Sequence, residues 1–311
     1  MTARPIHGVL PVLQTPFAAD GSIDTETLVT EIGWVLDQGV AGVTTGMVTE
    51  LLRLTEDERL ELSETVVGAA RARGALSVIS CGAESTRTSV AYARHAAQAG
   101  ADAVMVNPPL STVVDADRLV DHFAEIVEAI DVPVVVQDAS GYVGRPLGLD
   151  MQAELLDRYG DAIYFKPEAS PIGQRLSQLR DVTGGRARIL EGTGGAALLD
   201  SYRRGIVGTM PGAEVCWGVQ RLWDALRTGD WPLAYALSGV LNAMIGMQTS
   251  LDAFVAVEKH LLVRQGVFTS TAMRTPAGFV LDPESAAEIE RLADLLAALV
   301  EGQEPAVALA R

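Results

Sequence analysis

The chain alternates between short apolar runs and longer amphipathic stretches. Runs such as VPVVVQD and ADAVMVN are almost continuously apolar, which is typical of strands buried on both faces of a parallel sheet. This pattern predicts eight strands: Gly8–Phe17, Gly42–Met47, Leu76–Gly82, Ala101–Asn107, Val132–Asp138, Ala162–Glu168, Ala187–Thr193 and Gly205–Pro211.

The stretches between these runs predict helices. The segment from Asp24 to Gln38 begins at a capping residue and stops before Gly39. The next helix begins at Thr55 with Glu58 three residues later, which is a capping box. Eight such β/α units predict an α/β fold, a (β/α)8 TIM barrel, with a doubly wound open sheet as the alternative.

The pattern becomes entirely helical after Pro211. We interpret the first of these segments as the eighth barrel helix and the remainder as a C-terminal helical extension. The predicted organisation is a barrel over residues 1–230 and an extension over residues 231–311.

Composition narrows the classes of function. The 311 residues carry 24 basic and 40 acidic side chains, a net charge of −16. Such an acidic chain is repelled by nucleic acid and by anionic lipid, so neither is expected as a partner. The two cysteines are too few for a disulfide framework. No apolar run approaches the length of a membrane span, and the first residues do not resemble a secretory signal. We therefore expect a cytoplasmic protein.

The chain contains only two lysines, so amine chemistry has two candidates. Lys166 lies in AIYFKPE, near the carboxyl end of predicted strand six, where barrel active sites are built. Desolvation in an apolar strand favours the neutral amine, which can form an imine with a carbonyl substrate. The alternative is a structural ion pair with Glu168 or Glu191. Lys259 lies on an amphipathic helix and is expected to be an ordinary solvated lysine.

Two further segments carry candidate chemistry. Glu168 follows Lys166 by two residues, so strand alternation directs both side chains to the same face. Glu168 is then an acid/base or the counter-charge of the lysine. Gly192–Ala197 (GTGGAA) follows a strand and opens a helix, and it predicts either an anion-binding turn or a glycine turn without a ligand.

Metal and serine-nucleophile mechanisms have no support in the sequence. The four histidines are scattered, and neither HExxH nor a GxSxG elbow occurs. We therefore predict no metal and no organic cofactor.

Four segments together resemble the dihydrodipicolinate synthase / N-acetylneuraminate lyase family of lysine-dependent (β/α)8 lyases. GVLPVLQTPFAADGSID resembles the first strand of that family, and GMVTELLRLTEDER resembles its Gly-Thr-Thr-Gly-Glu loop. YFKPE matches the strand of the Schiff-base lysine, and GTGG followed by GIVGTMPG is similar to the last two strands. The resemblance covers nearly the whole chain.

The resemblance implies that Lys166 attacks C2 of pyruvate or another 2-oxo acid. The protonated imine then stabilises a carbanion at C3 as an enamine, so that a neighbouring bond breaks or forms. Backbone donors in the loop from Gly46 to Glu50 would hold the substrate carboxylate. Family members often assemble as dimers of dimers, which implies a homo-oligomer.

The sequence departs from the family pattern at the residues that carry hydroxyl groups. Gln137 occupies the place of the proton-relaying Tyr of strand five, and an amide is not a general acid or base near neutral pH. Tyr142 is a candidate replacement. Met47 and Val48 occupy the places of two carboxylate-binding threonines, and Thr49 that of the second glycine.

A competing register would assign Thr44-Thr45-Gly46 to the loop motif, but it moves Glu50 out of line. The aromatic pair that normally follows strand four is replaced by Pro109-Leu110, so the tyrosine given across the family's dimer interface is missing.

These replacements argue against an efficient dihydrodipicolinate synthase and favour an aldolase or dehydratase of another 2-oxo acid. Glu168, Asp138 or a substrate group would then handle protons. Two other classes stay open: a non-catalytic barrel that binds an oxo acid or a partner protein, and a nucleotide-dependent oxidoreductase built on Gly192–Ala197. The predicted catalytic residues are Lys166, Gln137 and Glu168, and the predicted substrate-binding residues are Met47, Val48, Thr49, Gly192 and Met210.

Overall fold

Each of the eight predicted strands is present and is shorter than its apolar run. The computed structural model describes residues 4–141 and 145–303. Its strands are Gly8–Val9 (β1), Gly42–Thr44 (β2), Leu76–Ser80 (β3), Ala103–Val106 (β4), Val134–Gln137 (β5), Ile163–Lys166 (β6), Leu190–Glu191 (β7) and Gly208–Thr209 (β8).

The strands close into a parallel barrel. Strands β2 to β6 form one sheet in chain order, and β1, β8 and β7 form a second. Single bridges from Val12 to Thr44 and from Phe165 to Ile189 join the two sheets at both seams. The predicted (β/α)8 barrel is therefore confirmed. The alternative of a doubly wound sheet is wrong, because an open sheet leaves two edge strands unpaired.

Helices follow the strands around the barrel, and three more complete the described chain. Thr55 and Glu58 form the predicted capping box at the start of the second helix. The helices are Thr25–Asp37 (α1), Glu56–Ala72 (α2), Thr86–Ala99 (α3), Ala116–Glu128 (α4), Leu149–Tyr159 (α5), Ile172–Val182 (α6), Leu198–Arg203 (α7), Cys216–Thr228 (α8), Trp231–Gly246 (α9), Leu251–Arg264 (α10) and Pro283–Val300 (α11).

Strand alternation divides the apolar side chains into two layers. In β5, Val134 and Val136 belong to the outer core beneath the helices, whereas Val135 belongs to the barrel interior. In β6, Phe165 packs outward and Tyr164 packs inward. This period of two fixes which polar residues at the strand ends face the barrel axis.

Helix α10 covers the carboxyl ends of the strands. It packs against two short 3-10 turns, Met47–Thr49 after β2 and Ala213–Val215 after β8. Helix α9 packs against α8 and α11.

The boundary between barrel and extension at residue 230 stays a prediction. Among the helices described, none alone is long and apolar enough to cross a membrane; α9 and α10 qualify only as a pair bent by 119°.

Candidate active site

Lys166 and Gln137 meet inside the barrel at the carboxyl ends of neighbouring strands. Gln137 is two residues after the inward Val135, and Lys166 is two residues after the inward Tyr164. The strand register pairs Gln137 directly with Lys166. The lysine is only 4% exposed, so its amine is held in a largely desolvated position.

Glu168 joins these two side chains. Its Oε1 accepts hydrogen bonds from Lys166 Nζ at 2.5 Å and from Gln137 Nε2 at 3.0 Å. The predicted shared face of Lys166 and Glu168 is thus confirmed. Glu191 is not the partner of the lysine, because its oxygens accept from Thr193 and from Thr209.

The pKa of the Glu168 carboxyl is raised above its usual value. Burial raises its pKa, because desolvation outweighs the attraction of the lysine and the two hydrogen bonds. Its Oε2 and the Oε1 of Gln137 are buried and have no hydrogen-bond partner among the described residues. Gln137 and Lys166 line the cavity described next, whereas Glu168 lies behind them, so the free Gln137 oxygen is the acceptor placed at the cavity wall.

A cavity extends from Lys166 along the barrel axis. The cavity is narrow: the volume that the centre of a water molecule can occupy in it is about 30 Å³. Six residues predicted for the site line it: Met47, Val48, Gln137, Lys166, Gly192 and Met210.

Thr49 does not belong to that lining, and its contact with substrate stays a prediction. Its hydroxyl donates to the carbonyl of Leu13 at 2.7 Å and accepts the N–H of Gly46 at 2.8 Å. Thr49 therefore shapes the loop. In the competing register, the Thr45 hydroxyl accepts the N–H of Ser80, whereas Met47 and Val48 of the first register line the cavity.

Gly192 permits the close approach of strand β7 to the lysine. A Cβ at this position would lie 2.9 Å from Cγ of Glu168 and 3.1 Å from Cγ of Lys166. Any larger residue would displace the ion pair. The Gly192–Ala197 segment is thus part of the lysine cavity, which it lines with Gly192 and Gly194.

Asp138 is not available to a ligand. Its carboxylate accepts the N–H groups of Ser140 at 3.0 Å and Leu147 at 3.1 Å, which fixes the ends of the loop after β5. Tyr142, the other candidate for proton transfer, lies outside the described residues.

Lys259 contradicts the expectation of a solvated lysine. It is 0% exposed, and its Nζ donates to Oε1 of Glu50 at 2.5 Å and to the carbonyl of Ala272 at 2.6 Å. Burial lowers its pKa, although Glu50 opposes the shift. Helical spacing predicts an amphipathic α10, but Arg264 is the one exposed residue in this helix.

The partner of Lys259 closes the Gly46 loop. Glu50 has a left-handed backbone, with φ of 58°, which is uncommon for a residue other than glycine. Its second oxygen accepts the N–H of Arg274 at 2.8 Å. The loop that presents Met47 and Val48 to the cavity is therefore held by α10 and by the segment between α10 and α11.

Two acidic residues of the cavity were not predicted, Glu214 after β8 and Glu258 in α10. Neither has a sequence motif around it. The only signal is a charged residue inside an otherwise apolar segment, as in FVAVEKHLLV.

In the part of the chain described, no group of three or more His, Cys, Asp or Glu side chains is arranged to hold a metal ion.

A model of the Dihydrodipicolinate synthetase family matches residues 5–295. The chain belongs to this family. The resemblance found in the sequence is confirmed, and a lyase of the family's aldolase or dehydratase kind follows from it.

Two curated family members align over nearly the whole chain. A 4-hydroxy-tetrahydrodipicolinate synthase from Rhizobium meliloti is 28% identical over 91% of this chain and 96% of its own. An L-2-keto-3-deoxyarabonate dehydratase from Azospirillum brasilense is 27% identical over 96% and 97%. A solved structure shares the fold: that of the 4-hydroxy-tetrahydrodipicolinate synthase from Methylacidiphilum fumariolicum SolV. It superimposes with a TM-score of 0.85 at 20% identity and covers 96% of this chain and 98% of its own.

Proposed function

We propose that this family member is a class I lyase that forms an imine between Lys166 and a 2-oxo acid, pyruvate or a longer one. The observation that carries the proposal is a desolvated amine, 2.5 Å from a carboxyl group, on the wall of a cavity. A buried amine beside an acid/base is the arrangement that imine formation needs.

The chemistry uses the three residues already described. The neutral Lys166 amine attacks C2 of the oxo acid, and the oxygen leaves as water after protonation. Glu168 is the nearest group able to pass that proton. Gln137 donates a hydrogen bond but transfers no proton, so it orients Glu168 and the substrate.

The substrate carboxylate is proposed to lie against Met47 and Val48. In the turn Met47–Thr49 the first internal hydrogen bond is donated by the N–H of Thr49, so the two preceding N–H groups point out of the turn. With Gly192 and Met210 on the other walls, C3 and the remainder of the substrate extend along the cavity.

Mass spectrometry after borohydride reduction tests the function directly. Reduction in the presence of pyruvate should add the mass of pyruvate, less one oxygen, to the peptide that contains Lys166. An adduct on Lys259 instead would contradict the assignment to Lys166. No adduct with any 2-oxo acid in a panel would favour a barrel that binds without catalysis.

We expect poor activity as a dihydrodipicolinate synthase. That condensation needs a proton relay of hydroxyl groups, and Gln137, Met47 and Val48 stand in those places. This chain should condense pyruvate with aspartate semialdehyde at least about 10²-fold more slowly than a 4-hydroxy-tetrahydrodipicolinate synthase assayed in parallel. Equal rates would show that the relay is replaced by another route.

Glu168→Gln separates the two roles of this carboxyl. If Glu168 passes the proton that releases water, the rate of imine trapping with pyruvate falls by about 10²–10⁴-fold in this variant. Because burial raises its pKa, the protonated form persists above the usual range, and the activity that depends on it is lost as pH rises through that pKa. The variant should lack this limb of the pH profile. An unchanged rate and profile would remove Glu168 from the mechanism.

The oligomeric state stays a prediction. A dimer of dimers is expected from the resemblance, and light scattering of the purified chain measures it.

A further inference from the structure

A buried carboxylate lies directly behind the glycine segment that follows β7. Glu191 is 0% exposed. Its Oε1 accepts the backbone N–H of Thr193 at 2.5 Å and the hydroxyl of the same residue, and its Oε2 accepts the hydroxyl of Thr209 at 2.7 Å. These three donors are uncharged, whereas a fully buried carboxylate usually faces a cation. The position of Glu191 therefore needs an explanation.

The hydrogen bonds of Glu191 fix the backbone at Gly192. Glu191 and Thr193 flank this glycine in the chain, so the bond between them folds the backbone at Gly192 into one shape. The hydroxyl of Thr193 in turn accepts the N–H of Ala197 at 2.8 Å. Glu191 is thus the anchor of the whole turn from Gly192 to Ala197.

The same residue also holds strand β8. Besides the bond from Thr209, the backbone carbonyl of Glu191 accepts the N–H of Met210 at 3.0 Å. Leu190 packs inside the barrel, so strand alternation turns Glu191 outward and Gly192 toward the axis. Glu191 therefore lies behind two residues of the cavity wall, Gly192 and Met210, and is not itself part of that wall.

Gly192 carries this position to the lysine. A Cβ on Gly192 would lie 3.1 Å from Cγ of Lys166 and 3.1 Å from Oε1 of Glu168. The backbone at Gly192 is thus packed against both members of the ion pair, whose nitrogen and oxygen are 2.5 Å apart. A shift of this backbone would change the space in which the two side chains meet.

We propose that Glu191 is a positioning residue for the imine-forming lysine: through the turn at Gly192 it holds Lys166 and Glu168 at the separation that proton transfer between them requires. The proposal rests on the proposed function, since Lys166 is taken to form the imine. Glu191 does not contact substrate, so its loss should affect the rate of the reaction more than the binding of the oxo acid.

Glu191→Ala and Glu191→Gln separate positioning from bulk structure. The alanine variant removes the acceptor of all three bonds, and borohydride trapping of pyruvate on Lys166 should slow by about 10–10²-fold, with a smaller change in its concentration dependence. Glutamine has the same length, its oxygen can accept from Thr193, and its amide can donate to Thr209. It should recover most of the rate. An unchanged rate in the alanine variant, or equal losses in both variants, would overturn the proposal.

Thr193→Val tests the same turn at a smaller cost to folding. It removes the hydroxyl that bonds Glu191 and Ala197 but leaves the carboxylate and the N–H of residue 193 in place. Trapping should slow by a smaller factor than in Glu191→Ala. An unchanged rate in this variant would also contradict the proposal.

NMR of the lysine side chains tests the positioning without any imine. The chain has two lysines, so protein labelled with ¹³C-lysine gives one Cε signal for each, and Lys166→Arg assigns them. Glu191→Ala should shift the Lys166 signal and its pH titration, and leave that of Lys259 in place. An unmoved Lys166 signal, or equal movement of both, would overturn the proposal. If wild type forms no adduct with any 2-oxo acid but the Lys166 signal moves, the positioning stands and the imine chemistry fails.

Asp102→Ala is the matched control. Asp102 also anchors a backbone N–H of a neighbouring strand, that of Ser77 at 2.9 Å, and pairs with Arg4, but it precedes β4 at the amino ends of the strands. The variant should leave the trapping rate and the Lys166 signal unchanged. Losses as large as those of Glu191→Ala would show that removing any anchored carboxylate has this effect, which would contradict the proposal.

Discussion

Lys166→Met is expected to reduce turnover of the 2-oxo acid by on the order of 10⁴-fold or more. The variant removes the only amine that the described residues place on the cavity wall, so substrate binds without an electron sink. The fold should persist, because the raised pKa of Glu168 allows that carboxyl to take up a proton once its cation is gone. Single-turnover kinetics and circular dichroism of the same preparation measure both effects.

Lys166→Arg is the matched control for charge. A guanidinium keeps the ion pair with Glu168 and is always protonated, so it cannot form the imine. It should be as inactive as the methionine variant. Activity retained in the arginine variant would mean that Lys166 acts only through its charge.

Lys259→Met is expected to cause the largest loss of stability. Breaking a buried ion pair from one side leaves the other charge without compensation, which costs about 3–5 kcal/mol. For a chain of this size that lowers the unfolding midpoint by roughly 5–8 °C. Glu50 would retain only the N–H of Arg274, and the loop of Met47 and Val48 would loosen. Differential scanning calorimetry measures the lower unfolding midpoint, and the KM for the 2-oxo acid measures the loosening of the loop.

Two further variants make this result specific. Glu50→Gln combined with Lys259→Met removes both charges, and it should recover a large part of the lost stability. Arg291→Gln breaks an exposed ion pair with Glu288 on α11 and should change stability by less than about 1 kcal/mol. A Lys259→Met protein as stable as Arg291→Gln would contradict the role of the buried pair.

The barrel and its lysine were predictable because both follow from local patterns. Apolar runs located all eight strands, and the period of two placed Lys166 and Glu168 on one face. The runs overestimated strand lengths. Gly8–Phe17, for example, contains the two-residue strand β1 and then the bridge at Val12, because strand pairing ends where the loops of the barrel mouth begin.

The acidic side of the cavity was not predictable, because it is assembled from distant parts of the chain. Gln14 donates to Glu258 across 244 residues, and Lys259 meets Glu50 across 209. No sequence period connects such positions. Lys259 was misassigned for the same reason, since helical spacing indicates that a face is polar but not that another element covers it.

The position of α10 has a consequence for the order of events during synthesis. Every barrel strand has left the ribosome before Glu258 and Lys259 are made, yet the loop after β2 needs Lys259 and the cavity needs Glu258. A nascent chain that already has its barrel strands still has an open mouth, with the Glu50 carboxylate unneutralised. Ligand binding is therefore expected only after α10 has docked on the barrel, because that helix supplies Lys259 to the loop and Glu258 to the cavity wall.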